Sequence, residues 1–288
     1  MGGGAWTTSA YTAYSTSLGR RTVTKDGVTS LADAYAAQDL FKSRAIQREL
    51  NPYKVVRQCC DTEEHPNTIP VILALDVTGS MGSAAAEVAK KLNEVMTKLY
   101  GQVADVEFLV MGIGDLAYDD SPIQASQFES DVRIAEQLDK IYFEGGGGGN
   151  SFESYTGAWY FGLRHTDLDC WKRGKKGIII TMGDEPLNPY LPKRQLSNVT
   201  GDALQGDVET EELYKVASEK FDIYHLAVDD NETSYTYHKD GILKSFGKYL
   251  DDKHLRTVGL NNIASAIVSI VTGAKDEAVE NSNTEISW

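Results

Sequence analysis

The sequence predicts an α/β protein built on a doubly wound, mostly parallel sheet flanked by helices, with an N-terminal extension in front of it. Two observations carry the prediction. Four short runs, IPVILALDV, VEFLVMGIGD, KKGIIITMGD and DIYHLAVDD, are mostly apolar, the first of them continuously so, and each carries an acid at or next to its end. That is how strands buried on both faces read. Between and after them lie amphipathic stretches at helical spacing, and such alternation implies crossover-connected parallel strands. No internal repeat is visible.

Taken in order, residues 1–29 are rich in Gly, Ser, Thr and Tyr and nearly free of aliphatic side chains. They read as a mobile tail. Leu31, Ala34, Leu40, Phe41 and Ala45 recur at helical spacing up to Leu50, where Pro52 ends the run, so a helix is expected over about 31–50. Tyr53–Cys60 reads as a short strand. Residues 1–68 are therefore expected to be an extension packed on a domain spanning 69–274. Within that domain the first strand, Ile69–Val77, leads to a helix with Val88, Leu92, Val95, Met96 and Leu99 on one face. Further helices are expected at Ile134–Phe143, Glu153–Arg164, Val208–Phe221 and Asn262–Thr272. The aromatic triplet Trp159, Tyr160 and Phe161 reads as core. Residues 275–288 read as an acidic, frayed tail.

Composition removes several function classes. Twenty-eight Lys and Arg against 42 Asp and Glu give a net charge of −14. A surface so acidic repels phosphate backbones, which argues against nucleic acid as a partner. No apolar run nears the roughly 20 residues of a membrane helix. The N-terminus has neither the basic start nor the apolar stretch of a signal peptide. Trp6 stands where a myristoylation pattern needs Ser or Thr. Cys59, Cys60 and Cys170 form an odd set, unlike a disulfide framework. The expectation is a reducing compartment, cytoplasmic or associated with a phage particle.

Open α/β sheets carry their sites at the carboxyl ends of the strands. Here those ends run into Asp76-Val77-Thr78-Gly79-Ser80, Gly114-Asp115 with Asp119 and Asp120, Gly183-Asp184-Glu185, and Asp229-Asp230. Carboxylate and hydroxyl oxygens suit hard cations such as Mg²⁺, Mn²⁺ or Ca²⁺. Asp76, Thr78 and Ser80 alternate in one loop, so their oxygens can converge on a point. The competing reading is that Thr78 and Ser80 only cap the following helix. Other chemistries lack their signatures. The glycine run Gly145–Gly149 has no Gly-Lys-Ser/Thr and no dinucleotide fingerprint in register, so nucleotide binding is not expected. His65, His165, His225, His238 and His254 show no metal-ligand spacing. His225 falls in a buried strand, and the others read as surface residues. No Gly-x-Ser-x-Gly elbow is present, and Cys170 has no evident activating partner.

The Asp-x-Thr-x-Ser-x-Gly loop directly after an apolar strand resembles the metal-ion-dependent adhesion site of the von Willebrand factor A family, where the pattern is Asp-x-Ser-x-Ser. The resemblance covers roughly Pro70 to Thr272. It looks most like a bacterial and phage subgroup with a DVTGSMG loop. It implies two further ligands: Asp184, from the end of a later strand, and Glu153, in the slot the family usually fills with Thr. Ser151 competes with Glu153 for that slot. The implied site is then Asp76, Thr78, Ser80, Glu153 and Asp184, holding a divalent cation, Mg²⁺ first and Mn²⁺ or Ca²⁺ as alternatives.

The resemblance also implies a metal-dependent protein-binding module with a protein partner, acting in assembly or interaction. A structural component of a phage or bacterial assembly is the first alternative, and a metal-dependent hydrolase is the second. With three acids in place of two, the cation would be over-neutralised and would attract acidic ligands less well.

Overall fold

The computed structural model describes residues 4–144 and 149–273. Its central sheet has six strands: β1 (Ile69–Asp76), β2 (Val106–Ile113), β3 (Ile123–Ala125), β4 (Gly177–Gly183), β5 (Phe221–Val228) and β6 (Leu255–Val258). Their spatial order is β6-β5-β4-β1-β2-β3. All neighbours run parallel except β3, which lies antiparallel to β2 along the edge. The four apolar runs are the four central strands, and most of their side chains are buried because helices cover both faces.

The principal helices are α1 (Thr8–Ser17), α2 (Gly82–Tyr100), α3 (Thr156–Arg164), α4 (Thr210–Lys220), α5 (Tyr235–Phe246) and α6 (Ile263–Thr272). One apolar layer joins α2, α6 and the N-terminal extension to the sheet, and it includes Leu92, Met96, Ile263 and Ile267. The other joins α3, α4 and α5, with Trp159, Phe161, Phe221 and Phe246. Trp159, Tyr160 and Phe161 are core residues, as expected.

Several boundaries differ from the sequence expectation. Residues 4–29 are not a structureless tail. They contribute α1 and most of a hairpin that pairs Thr22–Lys25 with Val28–Leu31. Trp6 and Tyr11 are buried there, and the Trp6 indole donates to Asn93 Oδ1 on α2 at 2.9 Å. Aromatic burial anchors a segment that has almost no aliphatic side chains. The helix expected over 31–50 is reduced to Ala37–Leu40 and a 3-10 turn at Arg48–Leu50. Leu31 pairs with Thr22 in the hairpin instead. Leu31, Leu40, Phe41 and Leu50 still bury, so their spacing marks burial and not a continuous helix.

Arg57–Cys59 is a strand paired in parallel with Thr166–Leu168, which fastens the extension to the domain. Ile134–Phe143 is helical only over Arg133–Leu138. The edge strands β3 and β6 and the whole of α5 have no counterpart among the expected elements. His65 and His165 are buried, not on the surface. Each bridges a carboxylate and a main-chain carbonyl: Asp105 and Gly4 for His65, Asp202 and Val55 for His165. The expected tail at 275–288 and most of the Gly145–Gly149 run lie outside the described residues. No helix among the described residues is long and apolar enough to cross a membrane.

The sheet order matters for function. From β1 the chain steps outward to β2 and β3, and it later begins again on the other side of β1 with β4. The reversal between β1 and β4 opens a crevice at their carboxyl ends, where ligands of open α/β sheets bind. Leu75 on β1 pairs with Met182 on β4, so Asp76 and Asp184 emerge side by side just beyond the last pairs.

Candidate metal centre

Asp76 closes β1 and is fully buried. Its Oδ1 accepts from the Thr78 amide at 2.9 Å and from the Thr78 hydroxyl at 2.5 Å. Its Oδ2 accepts from the Tyr155 hydroxyl at 2.7 Å. Thr78 therefore folds back onto Asp76 and caps nothing, and no side chain caps the start of α2. That removes the helix-capping reading of this loop. Tyr155 reaches Asp76 because Gly183 leaves the way clear: a Cβ at Gly183 would lie 1.9 Å from the Tyr155 hydroxyl. The Glu185 amide donates to the same hydroxyl at 3.3 Å.

Asp184 follows β4 directly and is also fully buried. Its Oδ2 accepts from the Ser234 amide at 2.6 Å, while its Oδ1 has no protein partner. The Ser80 side chain turns toward Asp184 and opposes the rise in its pKa. Glu153 precedes α3 and does not belong to it, contrary to the expected helix start. Its backbone bridges Leu187 and donates to the Pro186 carbonyl at 3.2 Å. Its side chain is buried, and Oε2 is unpartnered. Ser151, its competitor for the same slot, is exposed.

The structure thus gathers Asp76, Thr78, Ser80, Glu153 and Asp184 into one neighbourhood. It adds residues beyond those five. Tyr155 and Ser234 are hydrogen-bond donors to the two aspartates. Asp115 is buried with Oδ2 unpartnered, and Glu185 also keeps one unpartnered oxygen. Asp115 and Glu185 carry a signal in the sequence, since both follow apolar strands. Nothing local marks Tyr155, whose role depends on a glycine on another strand.

The electrostatics are those of negative charge held without a counter-charge. Burial, then the charge of Asp184, raises the pKa of Asp76. Burial, then Asp76, raises that of Glu153 further. Burial raises Asp115 and Asp184. Burial and the neighbouring aspartates push Glu185 up to about 7, and burial pushes Asp119 up to about 6. Among the described residues no Lys or Arg pairs with Asp76, Asp115, Glu153 or Asp184, and Glu185 has only His238, at 3.2 Å. The segments 77–81, 114–122, 144–155, 184–192 and 229–234 contain no Lys or Arg at all.

Buried carboxylates without a positive partner are costly. Unpartnered oxygens on Asp184 and Glu153, beside two hydroxyls, are a donor set that fits a hard divalent cation. Among the described residues no three His, Cys, Asp or Glu side chains are gathered closely enough to hold an ion by themselves. The hydroxyls of Thr78 and Ser80, together with water, are needed to complete a shell.

No protein-family model matches the chain, and no curated protein sequence matches it. Solved structures do resemble it. One is the pilus adhesin SpaC from Lactobacillus rhamnosus GG in its open conformation, at 13% identity and a TM-score of 0.47 over 77% of this chain. Another is the vWF domain of the type V pili tip protein Mfa5 from Porphyromonas gingivalis, at 12% identity and 0.42, covering 72% of this chain and 94% of that one. A third is proximal thread matrix protein 1 from the mussel byssus, with a zinc-occupied MIDAS motif, at 10% identity and 0.43 over 77% of this chain. The chain spans 30% of the length of the adhesin and 47% of the mussel protein.

Proposed function

We propose that the chain is a von Willebrand factor A-like module that binds a partner protein through a divalent cation at the β1–β4 crevice. One observation carries this reading. Asp184 and Glu153 each present a buried, unpartnered oxygen beside the Asp76-x-Thr78-x-Ser80 loop, with no Lys or Arg to answer them. Asp76, Thr78, Ser80, Glu153 and Asp184 would hold the ion, and Mg²⁺ is the first expectation for an all-oxygen set. When bound, the cation supplies positive charge and a Lewis-acid face toward the partner. Tyr155 and the Ser234 amide hold the two aspartates in place and share their charge.

Binding is favoured over hydrolysis. His238 alone of the histidines pairs with a carboxylate of the site, through Glu185, and His225 lies in the core, where burial lowers its pKa to about 3. A place in a phage or bacterial assembly is consistent with an extension that packs along α2.

The test is calorimetric titration of Mg²⁺, Mn²⁺ and Ca²⁺ into metal-stripped protein, with Asp76→Ala and Asp184→Ala for comparison. Wild type should bind one ion and each variant should lose it. Equal affinity in the variants refutes the site. Pulldown with and without chelator then tests the partner.

A further inference from the structure

Between the N-terminal extension and the start of α2 lies a cavity of about 600 Å³, a volume in the range of ligand sites. The first turn of α2 gives it only small residues, Gly82 and Ser83, followed one turn on by Ala86. Tyr35, Phe41 and Phe143 add three aromatic rings to its lining.

These rings are held in place by the fold itself. The Tyr35 hydroxyl accepts from the Arg21 amide at 2.7 Å. Phe41 packs on Phe143 with ring centroids 5.3 Å apart. A bridge between Ser43 and Tyr142 ties their two segments together, and the Ser43 hydroxyl donates to the Lys140 carbonyl at 2.9 Å. A preformed aromatic lining of this kind suits a flat apolar ring.

One atom of the lining is unanswered. Ser83 Oγ is buried and has no hydrogen-bond partner. An unpaired buried hydroxyl is unfavourable, so a ligand with an apolar body and a polar tip gains a bond there that a purely apolar one cannot make. The charges nearby favour a neutral occupant. An acid finds no free cation, because Lys90 is taken by Glu87 at 3.1 Å. A base finds only that paired Glu87 and Glu232, which is exposed to water. The cavity also adjoins the metal loop. Gly79, between Thr78 and Ser80, lines it, and so does Glu232, two residues before Ser234.

We propose that this cavity receives a tyrosine side chain of the partner protein, its ring among Tyr35, Phe41 and Phe143 and its hydroxyl on Ser83 Oγ, while a neighbouring group of the same segment meets the cation. The proposal rests on the binding-module reading for the existence of a partner, but none of the residues that would touch the ring is a proposed cation ligand.

The experiment uses the full chain and reads saturation-transfer NMR titrations of N-acetyl-tyrosinamide, N-acetyl-phenylalaninamide and N-acetyl-alaninamide. Tyrosinamide should bind about fivefold more tightly than phenylalaninamide, the net contribution of one hydrogen bond, and alaninamide should not bind. Ser83→Ala should bring tyrosinamide down to the phenylalaninamide level and leave phenylalaninamide unchanged. Because it removes an unpaired hydroxyl, this variant should melt no lower than wild type. Phe143→Ala should weaken both aromatic amides at least about threefold.

Equal binding of the two aromatic amides to wild type would overturn the proposal. So would equal weakening of both by Ser83→Ala, or a lower melting temperature in that variant, which would give the hydroxyl a partner within the fold. Tighter tyrosinamide binding to Trp288→Ala would seat residues 275–288 in the cavity, and self-association that tyrosinamide breaks would seat a second copy. Either result overturns the choice of occupant. Mg²⁺ titration of the same samples reads the cation separately. Tyrosinamide binding without a Mg²⁺ isotherm supports the cavity and refutes the cation, whereas an intact isotherm without tyrosinamide binding refutes the cavity alone.

Discussion

The Tyr155 hydroxyl donates to Asp76 Oδ2 at 2.7 Å, across the space that Gly183 leaves vacant. Three parts of the fold meet in that bond: the end of β1, the residue before α3 and the end of β4. Tyr155 is itself locked, with its ring 5.0 Å from His225 and 5.7 Å from Phe246. His225 stacks on Phe246 at 3.8 Å, and its Nδ1 meets the Thr181 hydroxyl at 2.9 Å. The orientation of the first aspartate is thus fixed by the core beneath it. Such support is what keeps a binding constellation in place before its ligand arrives.

Gly183→Ala should damage both stability and the metal centre. Its Cβ would collide with the rigid end of Tyr155, and overpacking of this kind costs about 1–3 kcal/mol. Tyr155→Phe is the gentler variant, removing only the donor. It should leave Asp76 Oδ2 buried without a partner and cost about 1–3 kcal/mol. Urea denaturation measures both, and Mg²⁺ titration should show weaker binding in Gly183→Ala. A Gly183→Ala protein with unchanged stability would mean that Tyr155 is free to move, and the locking argument would fail.

The carboxylates predict a pH dependence with a definite sign. Asp76, Glu153, Asp184 and Glu185 all have folded-state pKa values raised by burial, with repulsion from neighbouring acids adding to it in Asp76, Glu153 and Glu185. A raised folded value means stability that is present at low pH and lost as pH rises through that value. For Glu185 the loss runs from about 4.5 to about 7. His225 acts in the opposite sense. Burial lowers its value from 6.5 to about 3, so its contribution is lost as pH falls through that window. Four acids outweigh one histidine. Metal-stripped protein should therefore melt lower at about pH 8 than at about pH 5, while an ion that binds only the folded state offsets the loss. The Mg²⁺-induced rise in melting temperature should grow with pH, and a rise independent of pH would contradict the charge assignment.

The four central strands are legible because a mostly apolar run of that length, with an acid at or next to its end, fits little else than a strand buried on both faces. The same runs expose Asp76 and Asp184, since a strand end in an open sheet is a fixed address. Glu153 depends on a family resemblance, and its helical-looking surroundings hide that it lies ahead of α3. Tyr155 is illegible for a physical reason: its partner is set by a gap at Gly183, and a gap on another strand leaves no periodic signal. Strands β3 and β6 span three and four residues, too few for a period to show. In the N-terminal segment aliphatic content is a poor measure of burial, because Trp6 and Tyr11 do the anchoring.

Trp6 gives the sharpest check of that correction. It is buried against Tyr11 with ring centroids 5.5 Å apart, and its indole N–H is answered by Asn93 on α2. Trp6→Ala should destabilise the protein by about 3 kcal/mol or more, as truncation of a buried aromatic does. Asn93→Ala should produce a smaller loss, of about 1–3 kcal/mol. Chemical denaturation monitored by circular dichroism reads both. If Trp6→Ala unfolds at the wild-type midpoint, residues 4–29 do not contribute to the fold.

Glu153→Gln separates metal binding from stability most directly. The substitution keeps the shape of the side chain and the backbone bond to Pro186, and it puts a permanently neutral group opposite Asp76. In the metal-stripped protein burial and Asp76 hold the Glu153 carboxyl protonated, at a cost that grows with pH and that the amide does not carry. The variant should therefore be more stable than wild type at neutral pH. With the ion present the order should reverse, because a carboxylate oxygen facing the cation becomes a weaker amide oxygen. Mg²⁺ affinity should fall by about tenfold or more, equivalent to at least about 1.4 kcal/mol. Melting curves with chelator and with Mg²⁺, run beside calorimetric titration, measure the two effects on one sample. A variant destabilised in chelator would show that Glu153 has a hidden stabilising partner. A variant stabilised in chelator but with wild-type Mg²⁺ affinity would leave Glu153 outside the shell and make Ser151 the residue to substitute next.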